Sequence, residues 1–244
     1  MINKKSLLLA ATALTAVASN EALAIKAGPF VGATIGFGRT SAKSQTTAVS
    51  GSVGTVAATP DQINGQAFTK ANLTQNHFTA DILAGYLQEM SGFLVGGELT
   101  VGLATGKAKK AIRAFGTFID TDDVTMKKRW TGSLNAVAGK AMGSIFAFAK
   151  LGLGLDGLET GHTDPLFPKK KHTALSVIPA VGAEYAVTPN IGVRAEASMQ
   201  FYMSPKAKNL VQNNGGTPAV ITNTSVKHNK MSTVALKGGV VYHV

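Results

Sequence analysis

The chain contains no cysteine. That excludes disulfides, thiol catalysis and zinc–thiolate sites. Charge is scarce, at 15% of residues. Beyond the N-terminus no apolar run reaches the ~18 residues that mark a membrane-spanning helix, so none is expected in the mature chain. The five histidines (His77, His162, His172, His228 and His243) show no HxxxH spacing. Four of them sit in or beside loops, the favoured reading is solvated histidine, and neither a metal nor another cofactor is expected. Acids are outnumbered, with 13 Asp and Glu against 24 Lys and Arg, a formal net charge of +11. An excess of that sign directs a protein towards anionic surfaces.

What the chain has is an export signature and a period of two. "MINKKSLLLAATALTAVASNEALA" begins with Lys4 and Lys5, continues with an apolar stretch and closes on Ala22-Leu23-Ala24. This is the layout of a Sec-type signal peptide, cleaved after Ala24. Residues 1–24 are therefore expected to be lost and residues 25–244 to form one domain. Export makes nucleic acid an unexpected partner.

The period of two is clearest in "IGVRAEASMQFYM", from Ile191. Every second residue is apolar, and the residues between are small, polar or charged. Side chains alternate in this way along a β-strand. The length exceeds the ~5–6 residues usual in soluble sheets and suits the ~9–11 that cross a bilayer at a tilt. Seven further segments share the pattern, beginning near Gly28, His77, Gly92, Arg129, Ile145, Ala174 and Ser232. Their connections alternate short with long. "QEMS", "KAMGS" and "TPN" are tight turns. Residues 39–76, 105–128, 156–172 and 204–229 read as long polar loops. The expected fold is an all-β, eight-stranded antiparallel up-and-down transmembrane barrel, with short periplasmic turns and long extracellular loops. Pro179, which lacks an amide hydrogen, predicts a bulge or break in the sixth strand. A soluble β-sandwich would need another reason for an oily face on every strand.

Parity assigns the chemistry. Asp81, Glu98, Glu184 and Glu196 are expected inside the barrel, with Arg129, Lys150, Arg194 and Lys237. Acids and bases confined in so narrow a bore should pair, because an unpaired buried charge is very costly. The favoured reading is a salt-bridged lumen, since eight strands leave little free space. The alternative is a narrow porin-like channel for ions or small solutes. Catalysis is not expected, since no inward Ser-His-Asp set is evident. Tyr86, Trp130, Tyr185 and Tyr242 suit an interfacial aromatic girdle. The loops hold basic clusters: Lys107, Lys109, Lys110 and Arg113, then Lys127 and Lys128, then Lys169, Lys170 and Lys171. These are candidate sites for polyanions, either lipopolysaccharide phosphates or host and envelope glycans.

The signal peptide, "VIPAVGAEYAVTPNIGVRAEASMQFYM" and the terminal "LKGGVVYHV" together resemble the small eight-stranded outer-membrane barrels. These are the OmpA-like transmembrane barrel and the opacity-type porin superfamily. Gly-x-Glu-Tyr, a short turn and Arg-x-Glu are the most specific part. The resemblance implies residence in the outer membrane of a Gram-negative bacterium and insertion by the barrel assembly machinery. It also implies roles in envelope integrity, as a surface antigen or in adhesion. The family's terminal aromatic is replaced here by Val244. A periplasmic wall-binding domain, and with it tethering to the wall, is not expected.

Overall fold

Alternating side chains oblige each strand to hide one face from the other's solvent. The computed structural model describes residues 25–50, 67–112, 122–162, 169–203, 206–214 and 220–244. The signal-peptide residues and Arg113 lie outside these. The strands are β1 (Gly28–Ser50), β2 (Ala67–Met90), β3 (Phe93–Thr105), β4 (Ala108–Ile112), β5 (Asp122–Met142), β6 (Ile145–His162), β7 (Lys170–Ala186), β8 (Ile191–Tyr202), β9 (Lys206–Asn214) and β10 (Val220–His243). β1, β2, β3, β5, β6, β7, β8 and β10 pair antiparallel in that order, and β10 pairs back onto β1. The sheet closes as the expected eight-stranded up-and-down barrel. Closure gives each of these eight strands a partner on both sides, which hydrocarbon demands. β4 and β9 are short additions to β5 and β10, beyond the closed part.

The outer face is apolar. Ile35 is 74% exposed, Ile82 68% and Leu134 65%. On β3 this face runs from Phe93 to Leu103, close to the ~9–11 residues of a tilted membrane strand. Tyr86, Trp130 and Tyr242 are exposed on the same face near its ends, and Tyr185 is half-buried there. Leu134→Arg, near the middle of this belt, is expected to destabilise the bilayer-embedded barrel by about 2–4 kcal/mol. Urea titration in lipid vesicles reads the change. An unchanged midpoint would place that face away from lipid.

Local chemistry sets the turns at one end. Ser91 and Gly92 have φ of 53° and 78° between β2 and β3, the doubly positive pair of a type I′ hairpin. Between β7 and β8, the Thr188 hydroxyl accepts from the Ile191 amide at 3.0 Å. Asn190 then clasps the last strand, its Nδ2 donating to the His243 carbonyl at 2.7 Å. Pro179 keeps its register but interrupts the ladder: β7–β8 pairing stops at Val177 and resumes at Ala180.

At the other end the long polar connections are largely strand. β1 and β2 stay paired out to Thr47 and Ala67, and β5 and β6 out to Val124 and His162. Polar residues on both faces conceal the period of two there, while the backbone ladder continues. β3 and β8 stop earlier, so the rim rises into two walls. A bulge in β5 also changes a side-chain assignment. Lys128 faces Leu158 and Trp130 faces Gly157, which leaves Arg129 as an extra residue. Arg129 and Trp130 therefore both point outward, and Lys128 points in.

Candidate functional site: the filled lumen

The lumen is stacked in layers. Its floor, at the end with the short turns, is apolar and includes Phe30, Leu87, Leu94, Phe146, Phe148 and Val241, with Ile25 tucked against them. Towards the outside a second apolar cluster joins Ala42, Met126, Leu158, Ala174, Tyr202 and Met231. Charged side chains fill the space between.

Arg194 on β8 is the hub. Its Nη1 lies 2.5 Å from Glu98 on β3, and its Nε donates to Glu184 on β7 at 3.0 Å. The guanidinium sits 5.3 Å from the ring centre of Phe30 and 4.9 Å from that of Phe148. Stacked aromatic faces supply attraction that water would otherwise provide. Lys150 on β6 pairs with Glu98 at 2.6 Å and also with Glu196. Lys237 on β10 pairs with Asp81 at 2.8 Å. His243 Nε2 meets Glu184 at 2.6 Å. Glycine makes this density of side chains attainable. A Cβ at Gly192 would stand 2.4 Å from the Glu184 carboxylate, and one at Gly182 would stand 2.4 Å from the Phe148 ring.

Several of these contacts join strands that are not neighbours in the sheet. Glu98 reaches β6 and β8 across the bore, so the ion pairs act as struts. A second strut lies nearer the outside. Lys128 pairs with Asp156 at 2.9 Å and donates to Gln200 at 3.1 Å. Gln200 in turn donates to Asp156 and, at 2.7 Å, to Ser176. Between the two struts lies a polar chamber of about 40 Å³, bordered by Thr79, Thr100, Lys150 and Glu196. That space suits a few bridging waters.

Of the inner residues expected from parity, Asp81, Glu98, Lys150, Glu184, Arg194, Glu196 and Lys237 meet in the lumen. Arg129 does not. The bulge turns it outward, where it pairs with Glu159 at 2.5 Å. Lys128, read from sequence as part of a polyanion-binding loop, is 4% exposed and belongs to the inner strut. Lys107, Lys127, Lys169 and Lys171 are exposed. Lys109, Lys110 and Lys170 lie in strands whose side chains fall outside the description. His77 and His243, which open and close strand segments and were expected to be solvated, are buried. Asp156 and Gln200 were missed. Asp156 continues the inward parity of Gly152 and Gly154, one step past the point where the sequence segment was ended. Gln200 has that parity too, but its amide carries no charge to signal a partner.

Among the described residues no group of His, Asp and Glu is arranged to hold a metal. Each lumen carboxylate of the network already faces a cation, so the arrangement stabilises fixed charges rather than presenting a free base or nucleophile.

No family model and no curated protein matches the chain. Solved structures do. The outer membrane protease OmpT of Escherichia coli matches with a TM-score of 0.50 and 10% identity, over 89% of this chain and 97% of that one. This is an outer-membrane β-barrel fold. Neisserial surface protein A matches at a TM-score of 0.40 and 13% identity, over 86% of this chain and 97% of that one. Ail of Yersinia pestis, in complex with the heparin analogue sucrose octasulfate, matches at 0.39 and 10%, over 89% of this chain and 99% of that one. At these identities the likeness concerns fold alone.

Proposed function

We propose that the protein is a non-conducting outer-membrane barrel with a structural and surface-interaction role. The observation that carries this reading is the cross-bore network. Glu98 and Arg194 are 1% and 2% exposed and tie opposite walls together, above an apolar floor. An ion entering that path would have to break buried pairs in a low-dielectric bore, and removing a partner from such a pair is strongly unfavourable. The outward apolar belt and its aromatic ends support residence in a bilayer, and the outer-membrane barrel fold supports the outer membrane. The walls of the rim then stand outside the cell, where adhesion to anionic glycans through basic residues is one surface role open to them.

Single-channel recording on the refolded mature protein tests the reading. Folding is first verified by a heat-dependent gel shift. Well-folded protein is expected to show no steady conductance. A stable conductance whose ion preference changes in Glu196→Gln would instead make the lumen a working pore.

A further inference from the structure

The outer surface of the barrel changes character abruptly above its apolar belt. On β1 the outward series Val31, Ala33, Ile35, Phe37 ends, and the next outward residue is Arg39. On β3 it ends at Leu103, and Lys107 follows. On β5, Trp130 is succeeded by Arg129 and Lys127. On β7, Lys171 stands beyond Leu175. All of these basic side chains are exposed. They lie one to a few residues past the belt, roughly 3–13 Å along the strands. Among the described side chains of this outer rim the one carboxylate is Glu159, which Arg129 already faces. Among the described residues the opposite rim has no such collar. Its exposed charges include Lys26, Lys140 and Glu89, of both signs.

The backbone adds an independent observation. Both bulges near this level carry a cation as the extra residue. Arg129 is the unpaired residue of the β5 bulge. On β10, Lys230 and Met231 occupy the step opposite Ala42, between the pairs Ser41–Ser232 and Lys43–Asn229. Lys230 is exposed with φ of 51°, a region that side chains other than glycine adopt sparingly. Bulges re-aim side chains, and here they leave the cation outside while Lys128 and Met231 stay in.

A glycan-binding surface would gather its cations at the tip or between the walls. These encircle the barrel at the height where lipid headgroups lie, and they do so on one rim only. We infer that Arg39, Lys107, Lys127, Arg129, Lys171 and Lys230 form a collar that binds the phosphates of the outer-leaflet glycolipid. A site for ordinary phospholipid would be expected at both rims, because the inner leaflet offers it too. The inference rests on the outer-membrane reading: a Leu134→Arg variant of unchanged stability in vesicles would sink that reading, whereas a membrane-stable barrel that ignores lipid A would sink the collar alone.

The sole tryptophan, Trp130, lies within the collar and reports on it. The probe is bisphosphorylated lipid A in neutral maltoside micelles, titrated against folded protein while Trp130 emission is followed. Saturable binding is expected, and it should weaken steeply between low and molar salt. The quadruple variant Arg39→Gln, Lys107→Gln, Lys127→Gln, Lys171→Gln should bind roughly tenfold more weakly or worse. Lys-to-Arg changes at positions 107, 127 and 171 should retain binding. Dephosphorylated lipid A and phosphatidylglycerol should both bind far more weakly than lipid A. Should the quadruple variant fail the gel-shift test of folding, the salt and lipid series on the unmodified protein decide. Salt-independent binding, equal binding of either control lipid, or equal affinity for a soluble sulfated oligosaccharide each overturns the assignment.

Discussion

Arg194→Met is expected to lower the unfolding free energy by about 3–5 kcal/mol. The substitution preserves bulk between Phe30 and Phe148 and deletes the charge. Glu98 keeps Lys150, and Glu184 keeps only its hydrogen bond with His243. Two buried carboxylates thereby lose a cation at once, and the desolvation of each remains. Urea unfolding in detergent micelles, followed by the heat-dependent gel shift, measures the loss. Arg194→Lys should fall between the two proteins. It restores the charge but cannot reproduce the planar fork that reaches β3 and β7 together. A combined variant, Arg194→Met with Glu98→Gln and Glu184→Gln, should recover much of the loss, because the orphaned charges go with their partner. A drop below about 1 kcal/mol for Arg194→Met would mean that the network contributes no more than a surface pair.

The second expected result separates two adjacent residues. Lys128→Met should cost about 3–5 kcal/mol, because it strands Asp156 in the lumen. Arg129→Met should cost about 0–1 kcal/mol, because its pair with Glu159 is exposed on the arginine side. Unbroken alternation from Trp130 predicts the reverse order, with Arg129 inside. The comparison therefore tests the β5 bulge directly. Similar losses for the two variants, or a larger one for Arg129→Met, would restore the simple register.

Parity over "IGVRAEASMQFYM" placed Arg194 and Glu196 inward without any knowledge of neighbours, because a strand has only two faces and one was uniformly apolar. The same logic succeeded for Asp81, Glu98, Lys150, Glu184 and Lys237, which all lie where ladders run unbroken. It failed at Arg129, where one inserted residue reverses every assignment beyond it. It stopped too soon at Asp156, and it took strand residues such as Gln75 for loop. Beyond the belt both faces meet water or one another, so no oily face marks the alternation.

By itself, then, the sequence determined a barrel of eight strands, its lipid face and most of its inward charges, because hydrocarbon on one side forces strict alternation and closure. Which charges meet was decided only by the tertiary structure. Glu98, Arg194 and Lys150 are far apart in the chain and lie on strands that do not pair, and their contact depends on the curvature that brings opposite walls within reach. The apolar floor and the outward turn of Arg129 are likewise consequences of closure and of one bulge. Local pattern does not encode either, since both depend on how the sheet is staggered around its axis.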